Sequence, residues 1–169
     1  MRLRDILLAS TCTLALTAAA SAQTTYTAVL SGVNEVPVSA TSATGTATVV
    51  LNAAQTQLSI SCQFQNLTGT YSASHIHGPA PVGVNAGVKW GFIGAPAGWI
   101  FSNSNHDGTL SNFIVAGITS TDVANLNAGM FYVNVHSNVF PGGEIRGQLG
   151  SAPVPTAKTS WSRVKALFR

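Results

Sequence analysis

Alternating apolar and polar residues mark the clearest element of the chain, which lies at positions 57–65. Leu58, Ile60, Cys62 and Phe64 fall on one face of an extended chain, and serine and glutamine side chains occupy the other face. A period of two with this contrast predicts a β-strand that packs one face on a core and turns the other to water. We therefore interpret Cys62 as a buried core thiol rather than a reactive one.

Further strands are predicted where short runs of Val, Ile and Thr lie between clusters of Gly and Pro. These strands are Tyr26–Ser31, Gly45–Leu51, Ala73–His77, Val88–Ile93, Thr109–Ala116, Phe131–His136 and Glu144–Leu149. Residues 52–56 are predicted to connect a hairpin, and one helix is predicted over Thr119–Ala128, with Ser120 or Thr121 as its cap. Many short strands separated by turns predict an all-β fold, an antiparallel sandwich or barrel with one short helix.

The first 22 residues differ in pattern from the rest. Arg2 and Arg4 precede an apolar run of about 15 residues, which ends in small residues at positions 20–22. This order predicts a secretory signal peptide cleaved after Ala22, because a membrane span needs roughly 20 apolar residues. A lipoprotein anchor at Cys12 is disfavoured, since the apolar run continues beyond it. We expect export to the periplasm or the extracellular space, and no transmembrane span.

Composition changes again after Gly150. Pro153 and Pro155 predict an extended linker, and residues 161–169 mix apolar and basic side chains at near-helical spacing. Two interpretations of this tail stay open. It contacts a membrane surface or is recognised by a sorting machinery, or it is a frayed terminus. The sequence thus predicts a signal peptide at 1–22, one domain at 23–150, and a linker with a basic tail at 151–169.

Charge and cysteine content narrow the function classes. The whole chain has a net charge of +3, but residues 23–150 hold two basic and four acidic residues, a net −2. A domain this poor in Lys and Arg lacks the electrostatic footprint of a nucleic-acid-binding protein. Only Cys62 remains after the predicted cleavage, so no internal disulfide is expected.

Three polar segments contain the residues with coordinating or acid–base chemistry. Each places two polar side chains on one face of a predicted strand, opposite an apolar core position. The pairs are His75 and His77, then Asn134 and His136, and finally Glu144 and Arg146. We expect Glu144 and Arg146 to pair with each other, with adjacent strands or with His136.

These segments resemble the CHRD (chordin) domain in order and spacing. The resemblance spans about Tyr26 to Leu149, and its segments are Leu30–Pro37, His75–Pro79, Tyr132–Ser137 and Gly142–Leu149. It implies an immunoglobulin-like β-sandwich of the kind found in chordin, an extracellular growth-factor antagonist, and in many bacterial secreted proteins. The motif residues that it marks as structural are Glu35, Gly78, Pro79, Asn134, Gly143, Glu144 and Arg146.

The histidines support a second interpretation, because imidazole is the commonest protein ligand for copper and zinc. His75 and His77 on one strand and His136 on another form a set that can hold such an ion. The arrangement looks like the copper site of Cu/Zn superoxide dismutases, which the predicted fold also resembles in outline. The long zinc loop, paired cysteines and bridging histidine of those enzymes are missing, so superoxide chemistry is not expected. Alternatively, the three histidines are structural and bond backbone groups near the Gly78-Pro79 turn.

Catalytic machinery is not evident in the sequence. Glu144 has no second carboxylate in a motif, and no Ser-His-Asp spacing, Cys-His pair or phosphate-binding loop occurs. His106 lies in a predicted loop, where we expect it to be solvated. The leading expectation is therefore a secreted, non-enzymatic binding or matrix module with an extracellular protein or surface partner. A copper- or zinc-binding protein is the alternative.

Overall fold

A computed structural model describes residues 22–93 and 97–151 of the chain. Ten strands in these ranges join one antiparallel sheet in the order β5-β4-β8-β9-β1-β2-β3-β7-β6, and β10 pairs with β1. The strands are β1 Thr24–Ser31, β2 Thr44–Leu51, β3 Gln57–Gln65, β4 Tyr71–His77, β5 Val88–Gly91, β6 Ile100–Ser102, β7 Asp107–Ala116, β8 Tyr132–Ser137, β9 Ile145–Gln148 and β10 Gly150–Ser151. The helix α1 spans Ser120–Asn127. The predicted all-β class is confirmed.

The sheet is curled, and its pairing is shortest between β9 and β1. These strands share one paired position, Ser31 with Arg146, whereas β1 pairs with β2 along its whole length. The core lies inside the curl and is built from alternate positions of strands in both halves. Its members with at most 1% exposure include Tyr26, Leu30, Val49, Leu51, Leu58, Ile60, Ile76, Leu110, Val133, Val135 and Ile145.

Most sequence-predicted elements are present, with shifts at their ends. The strand at 57–65 has the predicted alternation, and Cys62 is a buried free thiol whose pKa is raised to about 12 by desolvation. Strands β6 and β10 were not predicted, because each is too short to show a period. The predicted helix cap, Ser120 or Thr121, is wrong: Thr119 caps α1, in a reciprocal capping box with Asp122.

Strand β8 positions the polar motifs, because it is buried on both of its faces. Val133 and Val135 face the core. Asn134 and His136 lie on the opposite face, beneath three covering segments at residues 35–39, 84–86 and 140–143. The polar face of β8, which the alternation alone would place in water, is therefore buried as well.

The predicted signal peptide and most of the tail lie outside the described residues. Ser151, the first residue of the predicted linker, pairs with Tyr26. Within residues 22–93 and 97–151, the structure contains no helix with the length and hydropathy that a membrane crossing requires.

Candidate metal centre

Three histidines converge on the polar face of β4 and β8. His75 and His77 project from β4, and His136 projects from β8, which pairs with β4. Each ring offers one nitrogen to a group whose members all lie within 4.8 Å of one another. In the register of β4 and β8, Ala73 is opposite His136 and Asn134 is opposite His75. The rings of His75 and His136 therefore lie diagonally across the two strands, where they can approach each other.

Backbone carbonyls orient two of the rings. The Nδ1 atom of His77 lies 3.0 Å from the carbonyl oxygen of Ala86, and Nδ1 of His136 lies 3.0 Å from that of Pro141. A carbonyl oxygen only accepts, so each Nδ1 carries the ring proton. Each Nε2 therefore presents a lone pair, which is the tautomer that metal-ligating histidines usually adopt. Nε2 of His77 is buried and has no hydrogen-bond partner.

His75 completes the group by a direct contact between imidazoles. Its Nδ1 lies 3.0 Å from Nε2 of His136. Because the proton of neutral His136 is on Nδ1, the His75 Nδ1–H is the donor in this hydrogen bond. An ion bound by all three rings would replace this proton, and the His75 proton would then move to Nε2.

The surroundings of all three rings favour the neutral form. Burial, together with the neighbouring His136 and His77, lowers the pKa of His75 to about 4. Burial is also the main cause of the lowered pKa values of His77 and His136. Neutral imidazole is the form that binds a metal ion, so protons compete little for the site at neutral pH.

A stack of side chains supports His77. Its ring lies parallel to that of Tyr132 at 5.0 Å between centroids, and the Arg146 guanidinium carbon lies 3.6 Å from the centre of the Tyr132 ring. Arg146 donates to the side-chain oxygen of Asn85 at 2.7 Å and to the carbonyl of Val84 at 2.6 Å. The buried arginine thereby holds the segment that supplies the Ala86 carbonyl to His77.

Glu35, Asn134 and Gly143 meet beside this stack. Glu35 is buried near Arg146, and its Oε1 and the Oδ1 of Asn134 have no hydrogen-bond partner. Burial raises the pKa of Glu35 to about 7, against the opposing effects of Arg146 and Asn134. Gly143 has φ of +131°, and a Cβ there would lie 2.5 Å from Asn134 Nδ2 and 2.9 Å from Glu35 Oε1. Glycine is therefore required at this position.

Glu144 and Arg146 do not pair with each other; of the alternatives that the sequence left open, the adjacent strand applies to Glu144, because Ser137 of β8 donates to it. Glu144 accepts hydrogen bonds from the Thr41 hydroxyl at 2.7 Å, from the Thr68 backbone N–H at 2.6 Å and from the Ser137 hydroxyl. These donors lower its pKa against the effect of burial. Glu144 thus connects the segments that contain Thr41, Thr68 and Ser137. The Arg146 side chain contacts a different segment, residues 84–85.

Two other sequence interpretations are resolved by the structure. Gly78 has φ of +142° and packs against Phe131 and the Met130 carbonyl, and the Gly78–Pro79 peptide bond is cis. His106 lies in a loop, as predicted, and is partly exposed, but its ring is also held by a hydrogen bond. Its Nδ1 lies 2.5 Å from the carbonyl oxygen of Leu67, and its backbone carbonyl accepts from the Leu67 N–H at 3.0 Å.

Sequence reasoning did not identify Tyr132, Asn85 or Ala86 as parts of the site. Tyr132 occurs in one of the polar segments, but its ring was indistinguishable from an ordinary half-exposed strand residue. Asn85 and Ala86 contribute through a side-chain oxygen and through backbone atoms, in a Gly-rich loop that carries no signal of its own.

Fold and site together define a small all-β domain with a buried polar face, in which three histidines lie next to an Arg–Tyr stack. The family model for the CHRD domain matches residues 26–149, which is most of the chain. The chain therefore belongs to the CHRD-domain family. No curated protein and no solved structure matches it.

Proposed function

We propose that this CHRD-domain protein is exported and binds one copper or zinc ion through His75, His77 and His136. The observation that carries the proposal is the convergence of three ring nitrogens within 4.8 Å, on strands that hold their rings in place. We propose no catalytic role for it.

The donor set favours copper or zinc over other common ions. All three donors are imidazoles, which suit zinc and copper, whereas calcium and magnesium prefer oxygen ligands. The two carboxylates buried near this face, Glu35 and Glu144, are not part of the group. An ion at this site would therefore be held by neutral nitrogen ligands alone.

An unmet polar atom supports binding at this position. His77 Nε2 is a buried lone pair without a donor, and leaving a buried acceptor unsatisfied costs about 1–3 kcal/mol. An ion would satisfy this atom. The carbonyls of Ala86 and Pro141 already fix the tautomers of His77 and His136, so two of the three ligands are prepared.

Metal retention tests the proposal. Full-length protein is treated with chelator, incubated with Zn(II) or Cu(II), dialysed and analysed for metal per chain. We expect one ion per chain in the wild type, and loss of retention in His77→Ala and His136→Ala. His106→Ala is the matched control, because His106 lies outside the group, and it should retain the ion. Wild-type protein without metal, or equal retention in all variants, would contradict the proposal.

A second candidate function, an extracellular binding or matrix module, is supported by an exposed apolar surface. Val29, Val33, Val36 and Val82 line a groove of about 400 Å³ with Arg146 at its floor, and their side chains are 38–78% exposed. Exposed apolar patches on soluble proteins commonly mark interaction sites. Cross-linking of the secreted protein should capture an extracellular partner, and Val33→Asp/Val82→Asp should abolish that capture. Unchanged capture would remove the groove as the interface.

A further inference from the structure

The candidate ligand group contains no side chain that carries a negative charge. Among the described residues, the group consists of His75, His77 and His136, and no Asp, Glu or Cys joins it. Glu144 is already held by hydrogen bonds from two hydroxyls and one backbone N–H. Since the three imidazoles are neutral ligands, an ion that they bind keeps its full charge. His77 and His136 are buried and His75 is half-buried, so this charge would be largely removed from water.

A buried cation lies next to this group. Arg146 is 2% exposed, and its guanidinium lies over the Tyr132 ring on which His77 stacks. The guanidinium donates to uncharged acceptors, the side-chain oxygen of Asn85 and the carbonyl of Val84. Burial and, to a smaller extent, the charge of Arg146 lower the pKa of His77. The positive field of Arg146 therefore reaches a candidate ligand.

Glu35, the acidic side chain that faces Arg146, offsets this charge only in part. Burial raises the pKa of Glu35 to about 7, so about half of its carboxyl groups are protonated at neutral pH. The pKa values of the three rings respond to Arg146 and to one another, and neither Glu35 nor Glu144 contributes to their shifts. The charge that acts on the site from the described residues is therefore positive.

Two general effects disfavour a divalent ion in such surroundings. Removing an ion from water costs a free energy that grows with the square of its charge, and repulsion by a neighbouring cation grows with the charge itself. Zn(II) usually binds four ligands in proteins, and Cu(II) prefers a tetragonal arrangement of nitrogen and oxygen ligands. Cu(I) carries half the charge and forms stable complexes with two or three neutral nitrogen ligands. The site therefore matches Cu(I) both in charge and in the number of its ligands.

We propose that His75, His77 and His136 bind Cu(I) more tightly than Zn(II) or Cu(II), and that the positive charge of Arg146 contributes to this preference. The inference rests on the metal site proposed above and names the ion that the site prefers. Arg146 contacts Tyr132 and residues 84–85, so it acts on the ion through its charge and not as a ligand.

Affinities of the full-length, metal-free protein for the three ions test this inference. Cu(I) is titrated without oxygen in competition with bicinchoninate, and Zn(II) and Cu(II) are titrated in competition with chelators of known affinity. We expect Cu(I) to bind about tenfold or more tightly than either divalent ion. X-ray absorption of the Cu(I)-loaded protein should show three nitrogen ligands. Both measurements use the wild type, so they test the preference even if a variant fails to fold.

Two substitutions of Arg146 separate its charge from its hydrogen bonds. Arg146→Gln and Arg146→Lys both lose the paired contacts with residues 84–85, so both should weaken the binding of every ion. Only Arg146→Gln also removes the positive charge. The ratio of Cu(I) affinity to Zn(II) affinity should therefore fall about fivefold or more in Arg146→Gln, and stay within about twofold of the wild-type ratio in Arg146→Lys.

The outcomes distinguish this inference from the metal site on which it rests. Zn(II) or Cu(II) bound as tightly as Cu(I) would overturn the preference and leave the site intact. An unchanged affinity ratio in Arg146→Gln would overturn the contribution of the arginine charge. A protein that binds none of the three ions would overturn the metal site itself, and this inference with it.

Discussion

The guanidinium carbon of Arg146 lies 3.6 Å from the centre of the Tyr132 ring, and His77 stacks on the same ring. Tyr132 is on β8, which lies between the strands of the other two residues. The ring therefore connects the buried cation to the candidate ligand. A desolvated cation–π contact contributes about 2 kcal/mol or more, so this stack stabilises the polar face itself.

Replacing the Tyr132 ring should destabilise the domain more than removing its hydroxyl. Tyr132→Leu loses the contacts with Arg146 and His77, and we expect the free energy of unfolding to fall by about 2–4 kcal/mol. Tyr132→Phe keeps the ring and loses the hydroxyl's two hydrogen bonds with the Ala86 backbone, a loss of about 1–2 kcal/mol. Urea unfolding of both variants measures the difference. Equal losses would mean that the stack contributes little.

Substitution by alanine should affect the stability of the domain differently at the two adjacent glycines, Gly142 and Gly143. Gly143→Ala forces a Cβ into Asn134 and Glu35 and strains a backbone with φ of +131°, so we expect a loss of about 2 kcal/mol or more. Gly142→Ala meets nothing within 4 Å and should change stability by less than about 0.5 kcal/mol. Thermal unfolding of the pair checks this. Similar melting temperatures would show that Gly143 is not held against Asn134.

Glu35 should make stability depend on pH near neutrality. Burial raises its folded pKa to about 7, with Arg146 as the charged group facing it, and its unfolded value is near 4.5. Between these values the folded state binds the extra proton, so this group makes stability fall as pH rises from about 4.5 to about 7. The loss amounts to about 3 kcal/mol at most, at about 1.4 kcal/mol per pKa unit.

Glu35→Gln isolates this contribution. The difference in unfolding free energy between variant and wild type should move in favour of the variant as pH rises from 5 to 8. Both proteins are measured without metal, so that the titration of the histidines contributes equally to the wild type and to Glu35→Gln. Parallel pH profiles of the two proteins would contradict a raised pKa for Glu35.

The alternation of apolar and polar residues predicts the environment of a strand well where one face of the strand meets water, and poorly where both faces are buried. The strand at 57–65 was predicted with its bounds, because its polar face meets water and its alternation is complete. Strand β8 shows the same alternation, yet both of its faces are buried. The covering segments at 35–39, 84–86 and 140–143 come from distant parts of the chain, so a local pattern carries no information about them.

The site shows the same limit at the level of single residues. His75, His77 and His136 were predicted as a candidate ligand set, but their convergence depends on β4 pairing with β8, which spacing along the chain does not specify. For Glu144 and Arg146 the sequence left three sets of partners open: each other, adjacent strands or His136. Apart from Ser137, the hydrogen-bond partners of their side chains, such as Thr68 and Asn85, are more than 60 positions away in sequence.

Thermal unfolding with and without metal tests the central claim most directly. Wild type and His75→Ala/His77→Ala are melted without metal and with Cu(II) or Zn(II) at about a hundred times the dissociation constant. Binding to the folded state alone should add about 2.7 kcal/mol, a shift of several degrees, to the wild type. The double variant should show no shift. If metal leaves the wild type unchanged while the double variant melts lower, the histidines are structural and the metal site is refuted.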